Sequence, residues 1–254
     1  MHPLAVWPAA VDLQGLVDLA YAVQVRLDGP SVLPDGRAGL VWLSDGTLRM
    51  CGPETRVWRP DRVGVTAVGV RLARGAVPAV LGVSATALLD RRMHLSELWG
   101  AAALDLAERL SSLSSPRRQA ALLQDAIRTR RGAARPVDPV AAHVARRLAG
   151  EQVPVVALAR EVGMSERQLH RRCLTALGYP PSRLARLLRL HRFLVLARTS
   201  PVHVTLAQLA AAAGYADQAH LSRDSRALTG RAPSAFRSAG PVSDPCKPSM
   251  AKRP

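Results

Sequence analysis

The 254-residue chain has no asparagine, a single isoleucine (Ile127) and two lysines against 33 arginines. Together with abundant Ala, Gly and Pro, this is the skew of a GC-rich coding sequence, so part of the arginine carries no functional message. Acidic side chains are also scarce. Nineteen Asp plus Glu oppose 35 Lys plus Arg, giving a net charge of +16 and a pI near 11.4. Codon bias does not explain the shortage of acids, and so large a charge favours a polyanionic partner. The three cysteines (Cys51, Cys173, Cys246) are too far apart for a disulfide framework or a metal knuckle. Cys51 reads as an inert core thiol with nothing basic close to it. No basic n-region follows Met1, and Asp12 and Asp18 interrupt the first apolar stretch, so a secretory leader is not expected. The uncharged run 199–216 contains Pro201, His203, Gln208 and Gly214, which makes it an Ala-rich helix and turn rather than a membrane span. A cytoplasmic protein with no membrane partner is expected. The G-x-S-x-G, P-loop, G-x-G-x-x-G, H-E-x-x-H and C-x-x-C patterns are all missing, so no enzyme activity, cofactor or metal is expected. His94 and Glu97 have an i, i+3 spacing, but with no further ligands in sequence they read as a solvated turn.

What is present is unevenly distributed. Residues 1–131 hold 16 basic and 12 acidic side chains, whereas 132–254 hold 19 and 7. Three quarters of the excess charge therefore lies in the second part, and all four tryptophans (Trp7, Trp42, Trp58, Trp99) lie in the first. Two domains of different character are expected: a multidomain α+β chain, β-rich at the N-terminus and all-α at the C-terminus. Hydrophobic residues make up 48% of the chain, enough for packed cores. Strands are predicted at Val23–Leu27, Gly39–Leu43, Leu48–Met50 and Val63–Arg71, with a tight turn at Ser44-Asp45-Gly46. Residues 101–131 form a helical hairpin. One helix buries Ala103, Leu106, Ala107, Leu110 and Leu113, the other Ala120, Leu123 and Ile127, with Ser114-Ser115-Pro116 between them. This hairpin reads either as a dimer surface or as a cap on the β-rich part. Arg128, Arg130 and Arg131 read as its solvated end, and the tryptophans as core or interface residues in preference to a ligand pocket.

Residues 132–138 form the linker, and 139–238 a helical domain with helices near 139–149, 155–162, 165–177, 182–199, 206–213, 217–229 and 233–238. The segment 239–254 reads as a disordered tail. Two stretches of the helical domain repeat each other. Ala159, Gly163, Ser165 and Leu169 in the first match Ala210, Gly214, Asp217 and Leu221 in the second. Each is a short helix, a glycine turn, a polar N-cap and a second helix. The alanine admits a close helix crossing and the glycine a positive φ. Ser165 with Gln168 makes a capping box. The turn glycines are 51 residues apart and the anchor leucines 52, so the second turn is one residue longer. The helix joining the units spans roughly 25 Å and can set two recognition helices about one DNA turn, roughly 34 Å, apart.

The stretches LAREVGMSERQLHRR (158–172), Pro181-Ser182-Arg183 and LAAAAGYADQAHLSRDSRALTGRAPSAFR (209–237) make residues 139–238 resemble the DNA-binding domain of AraC/XylS transcription regulators. The resemblance implies a double helix-turn-helix that reads double-stranded DNA, most often as an activator. RNA polymerase, a small-molecule effector and a second copy of the chain are further candidate partners. Base contacts would come from Arg167, His170 and Arg171 in the first unit and from Gln218, Ser222 and Arg223 in the second, with His220 or Ala219 at the margin. Phosphates would be met by Ser182, Arg183, Arg186, Arg226 and Ser234. Two departures stand out. Cys173 and Ser225 occupy positions where the family usually has phenylalanine, which implies a cavity unless neighbours such as Leu174 or Phe193 fill it. Residues from Leu33-Pro-Asp-Gly through GVRLARGAVPAVLGV (69–83) to Trp99-Gly100 are similar to an uncharacterised, cupin-like N-terminal domain found on a subset of these regulators. Such domains sense small molecules or self-associate. The cupin metal histidines are missing, since this part holds only His2 and His94, and so is the cysteine cluster of the DNA-repair members. The alternative reading is a small-molecule-binding or catalytic β-barrel whose helical half is only an interaction module.

Overall fold

A computed structural model describes residues 2–26, 32–131 and 136–237. The N-terminal part is built on one six-stranded antiparallel sheet. Its strands are β1 (His2–Pro8), β2 (Val17–Gln24), β3 (Gly39–Leu43), β4 (Leu48–Cys51), β5 (Thr66–Leu72) and β6 (Arg92–His94), in the order β1-β2-β5-β3-β4-β6. Short helices α1 (Val77–Leu81) and α2 (Ser96–Trp99) precede the hairpin of α3 (Ala101–Ser111) and α4 (Pro116–Arg131).

The pleat sorts side chains onto two faces. Ala20, Ala22, Leu40, Trp42, Met50, Val68 and Val70 join the core that contains Ala120, Leu123 and Ile127 of α4. Leu19, Tyr21, Val23, Val25, Leu43 and Ala67 form a second, smaller apolar cluster. Because β2 is buried on both faces, its sequence does not alternate. That is why the strand expected at Val23–Leu27 instead runs from Val17 to Gln24. Gly69 is required where it lies, since a Cβ there would meet the Tyr21 ring at 2.7 Å and the Leu40 carbonyl at 2.9 Å. The hairpin 101–131 buries Ala103, Leu106 and Leu110 on α3 and Ala120, Leu123 and Ile127 on α4. The expected Ala107 and Leu113 are only half-buried, Leu113 lying just past the end of α3. α4 lies across β2 and β5, so it caps the sheet. The side-chain amide of Gln119 donates to the carbonyls of Leu110 (3.0 Å) and Leu113 (2.7 Å), satisfying the end of α3.

The C-terminal part is helical: α5 (Pro139–Gly150), α6 (Val155–Glu161), α7 (Glu166–Leu177), α8 (Pro181–Thr199), α9 (Leu206–Ala213), α10 (Gln218–Thr229) and a 3₁₀ turn at Pro233–Phe236. These helices share one core, with Leu158, Leu169, Cys173, Leu187, Phe193, Leu221 and Phe236 all buried. The two parts touch. Thr86 donates to the Leu174 carbonyl at 2.6 Å, His191 Nε2 to the Pro34 carbonyl at 2.9 Å, and the Tyr179 hydroxyl to the Glu54 carbonyl. The tail expectation for 239–254 lies outside the described residues, as does most of the linker. Among the described residues no helix is long and apolar enough to cross a membrane, and no cluster of His, Cys, Asp or Glu could hold a metal.

Candidate nucleic-acid interface

Local signals place both recognition helices. At α7, Ser165 Oγ accepts from the Gln168 amide at 3.3 Å, and Gln168 Oε1 accepts from the Ser165 amide at 2.9 Å. Gly163 has φ +65° in the turn before it. At α10, Asp217 Oδ1 accepts from the His220 amide at 2.6 Å, and Gly214 has φ +91°. α9 starts with a second capping box, Thr205 with Gln208. The S/T-x-x-Q spacing announces it in the sequence, although it was not among the expected features. Ala159, Leu169, Ala210 and Leu221 are all buried, as the two crossings require.

The burial pattern orients the helices. On α7, Leu169, Cys173, Ala176 and Leu177 face the core, leaving Arg167, His170 and Arg171 exposed on one side at i, i+3 and i+4. On α10, Leu221, Asp224, Ser225 and Leu228 face inward, Gln218, Ala219 and Arg223 are exposed, and Ser222 and His220 are half-buried. The α7 set thus shares one exposed face, whereas the α10 set spreads over a wider arc, with Gln218 and Arg223 exposed and Ser222 half-buried between them. Ser182 and Arg183 are exposed on the first turn of α8, Arg226 on the last turn of α10, and Ser234 on the final 3₁₀ turn. Arg186 is exposed too, but its Nε is engaged by Asp224 Oδ1 at 2.7 Å.

Electrostatics separate the arginines into two groups. Arg147 is paired with Glu151 and Glu161, Arg172 with Asp138, and Arg186 with Asp224. Arg167, Arg171, Arg183 and Arg223 have no acidic partner among the described residues. The exposed Arg167, Arg171 and Arg223 of α7 and α10 thus lack an acidic partner among the described residues, while Arg172 and Arg186, which reach across to other helices, are paired. Asp138 does double duty that spacing did not reveal, since its carboxylate also accepts from the amides of Val140 and Ala141 at the start of α5.

Residues 158–239 match the family model of a helix-turn-helix domain. This part of the chain is an AraC-type helix-turn-helix domain. No curated protein sequence matches the chain. Among solved structures, the chain is similar to the C-terminal domain of AraT, a response regulator from Geobacillus stearothermophilus, at 17% identity and TM-score 0.39, covering 43% of this chain and 93% of that one. It is also similar to ToxT from Vibrio cholerae O395, at 10% identity and TM-score 0.44 over 86% of this chain and 95% of that one. ToxT bound to (E)-4-(8-methylnaphthalen-1-yl)but-3-enoic acid gives 11% identity and TM-score 0.45 over 86% and 96%.

The helix that joins the two heads of the AraC-type domain also walls a cavity of about 130 Å³. Tyr21, Val41 and Leu43 supply its apolar side from the sheet, and His191, Leu194 and Arg198 face it from α8. Beside it Asp35, 4% exposed, is ringed by arginines. Burial by itself would raise its pKa, but the charges of Arg71, then Arg37, His191 and Arg74, hold the carboxyl well below the ordinary carboxylate range. Of the tryptophans, Trp42 and Trp99 are core and Trp7 packs against it, whereas Trp58 lines the cavity beneath the Arg92 guanidinium, 3.6 Å from its ring centre. The expectation for Cys51 is corrected in one respect: pairing of β4 with β6 brings Arg92 Nη1 to 3.2 Å from its sulfur. Burial nevertheless pushes that thiol up from its ordinary value. The backbone amide of His94 donates to Glu97 Oε1 at 3.0 Å, the geometry of a local turn.

Proposed function

We propose that the chain is a non-catalytic transcription regulator whose α7 and α10 enter successive major grooves of duplex DNA. The observation that carries this reading is that α7 and α10, the second helices of two repeated helix-turn-helix units joined by one continuous helix, each expose arginine with no acidic partner among the described residues. In the assignment proposed here, Arg167, His170 and Arg171 read one half-site and Gln218, Ser222 and Arg223 the other. Ser182, Arg183, Arg226 and Ser234 meet phosphates. Residues 1–131 make up a sensing or association domain, 132–138 a linker, 139–238 the DNA-binding domain and 239–254 a tail.

In this reading an effector acts at the cavity shared by the sheet and α8, because an occupant touching His191 and Leu194 bears directly on the helix that spaces the two heads. Activation through RNA polymerase, self-association and a cytoplasmic location complete the proposal. Its test is affinity for duplex DNA as a function of salt and sequence. Affinity falls steeply with salt while a preference for one sequence persists. Arg171→Ala and Arg223→Ala each cost about 1–3 kcal/mol and relax specificity at different half-sites, whereas Arg183→Ala weakens all sequences alike. Equal affinity for every sequence at all salt concentrations overturns the reading.

A further inference from the structure

The recognition helix α10 carries one acidic residue, Asp224, and buries it against α8 with 5% of its surface exposed. A carboxylate so placed loses hydration and repels phosphate unless the protein neutralises it. Arg186 of α8 supplies that neutralisation at 2.7 Å through Oδ1. Oδ2 has no hydrogen-bond partner among the described residues and faces His220 Nε2, one turn earlier on α10, at 3.9 Å. His220 lies 3.5 Å from Arg189 Nη1 and meets the Tyr215 ring edge-on at 5.0 Å, while the Arg189 guanidinium sits 5.4 Å from the centre of that ring. A polar row therefore binds α10 and the turn before it to α8. On α7 the residues turned inward are Leu169, Cys173, Ala176 and Leu177, and its ion pair, Arg172 with Asp138, runs to α5 instead.

We propose that Asp224 is a positioning residue for base recognition. By gripping Arg186 it fixes the roll of α10 on α8, and so fixes where its chain neighbours Ser222 and Arg223 meet the bases. Recognition tolerates misplacements of only about 0.5 Å, so a slack helix loses discrimination before it loses its fold. The inference rests on the DNA reading proposed above. It makes Arg186 a clamp in place of the phosphate contact that the family resemblance implies, and the two roles give opposite results.

The test uses the full chain and a duplex that it selects from a pool of randomised DNA. Base-pair changes along that duplex locate the two half-sites, and Arg223→Ala marks the one read by α10. Asp224→Asn keeps the side chain's size and removes its charge, while Arg186→Ala removes its partner. Each is expected to lower discrimination at the α10 half-site about tenfold and to leave the α7 half-site unchanged. The salt slope stays at the wild-type value, the double variant is no worse than either single one, and Arg186→Lys recovers part of the loss. A uniform loss over all sequences in Arg186→Ala, with the salt slope lowered by about one and Asp224→Asn silent, overturns the clamp in favour of a phosphate contact. Equal losses at both half-sites also overturn it. Should Arg186→Ala fail to fold by circular dichroism, Asp224→Asn decides the matter on the same half-site readout. A wild-type chain that selects no motif removes the DNA reading, and this inference with it, whatever the variants do.

Discussion

Cys173 on α7 and Ser225 on α10 hold equivalent places in the two helix-turn-helix motifs, and both are fully buried. The first motif fills the place with an apolar side chain: the Cys173 thiol sits among core residues, and burial, then the charge of Asp138, pushes its pKa up to about 12. The second satisfies it with hydrogen bonds. Ser225 Oγ donates to the Arg231 carbonyl at 2.7 Å, and Thr229 Oγ1 donates to the Ser225 carbonyl at 2.6 Å. A small polar residue there is no defect, because its hydroxyl closes the turn after α10. The motifs also differ in attachment. Leu174, Tyr179 and His191 tie the first motif and its stretch of α8 to the sheet domain, whereas α10 packs on α8, α9 and the Pro233–Phe236 turn. One head is thus moored on two sides, and the other is carried by the joining helix.

The mooring is the place to press hardest. Asp35→Asn leaves Arg71 and Arg37 beside a neutral group and is expected to cost about 3 kcal/mol at pH 7. The sign follows from the lowered pKa. The stabilisation is fully present above the unfolded value, near pH 4, and disappears as pH falls through the folded value. Urea unfolding of wild type and variant should therefore converge in acid, and a gap that persists undiminished there refutes the role. Next in size, Cys173→Ser puts a hydroxyl into an apolar site at a cost of about 1–3 kcal/mol. Ser225→Ala loses about 1 kcal/mol through the Arg231 carbonyl. If Ser225→Ala stabilises the chain, the two positions are apolar alike and the contrast falls. The smallest effect belongs to Tyr179→Phe, which deletes the hydrogen bond to Glu54 for about 1 kcal/mol or less. Proteolysis between the two parts should quicken while the far-ultraviolet spectrum stays the same.

The same contrast separates what the chain announces locally from what it does not. The helices of 139–229 fall within a residue or two of expectation because Ser165, Asp217, Gly163 and Gly214 act on their own neighbours. β1 escaped notice because HPLAVWP carries Pro3 and Pro8, which an edge strand accommodates and a central one does not. β6 is only three residues long and exists by pairing with β4. The exposure of Arg167, His170 and Arg171 on α7 and of Gln218 and Arg223 on α10 was legible from helical spacing. The Asp224–Arg186 pair, the Asp35–Arg71 pair and the seating of Tyr179 on Glu54 were not, since each joins residues 36 or more positions apart. No periodicity encodes such a meeting.

The joining helix is unbroken from Pro181 to Thr199, with no glycine and with proline only at its first position. A continuous α-helix resists twisting, so the angular phase between the two heads is set once, by the protein, and not renegotiated at each site. A DNA target for such a ruler has a fixed spacer. Inserting one base pair between the half-sites swings one of them by about 35° around the duplex, and inserting five turns it to the far side. The spacer should therefore be as intolerant of change in length as the half-sites are of change in sequence.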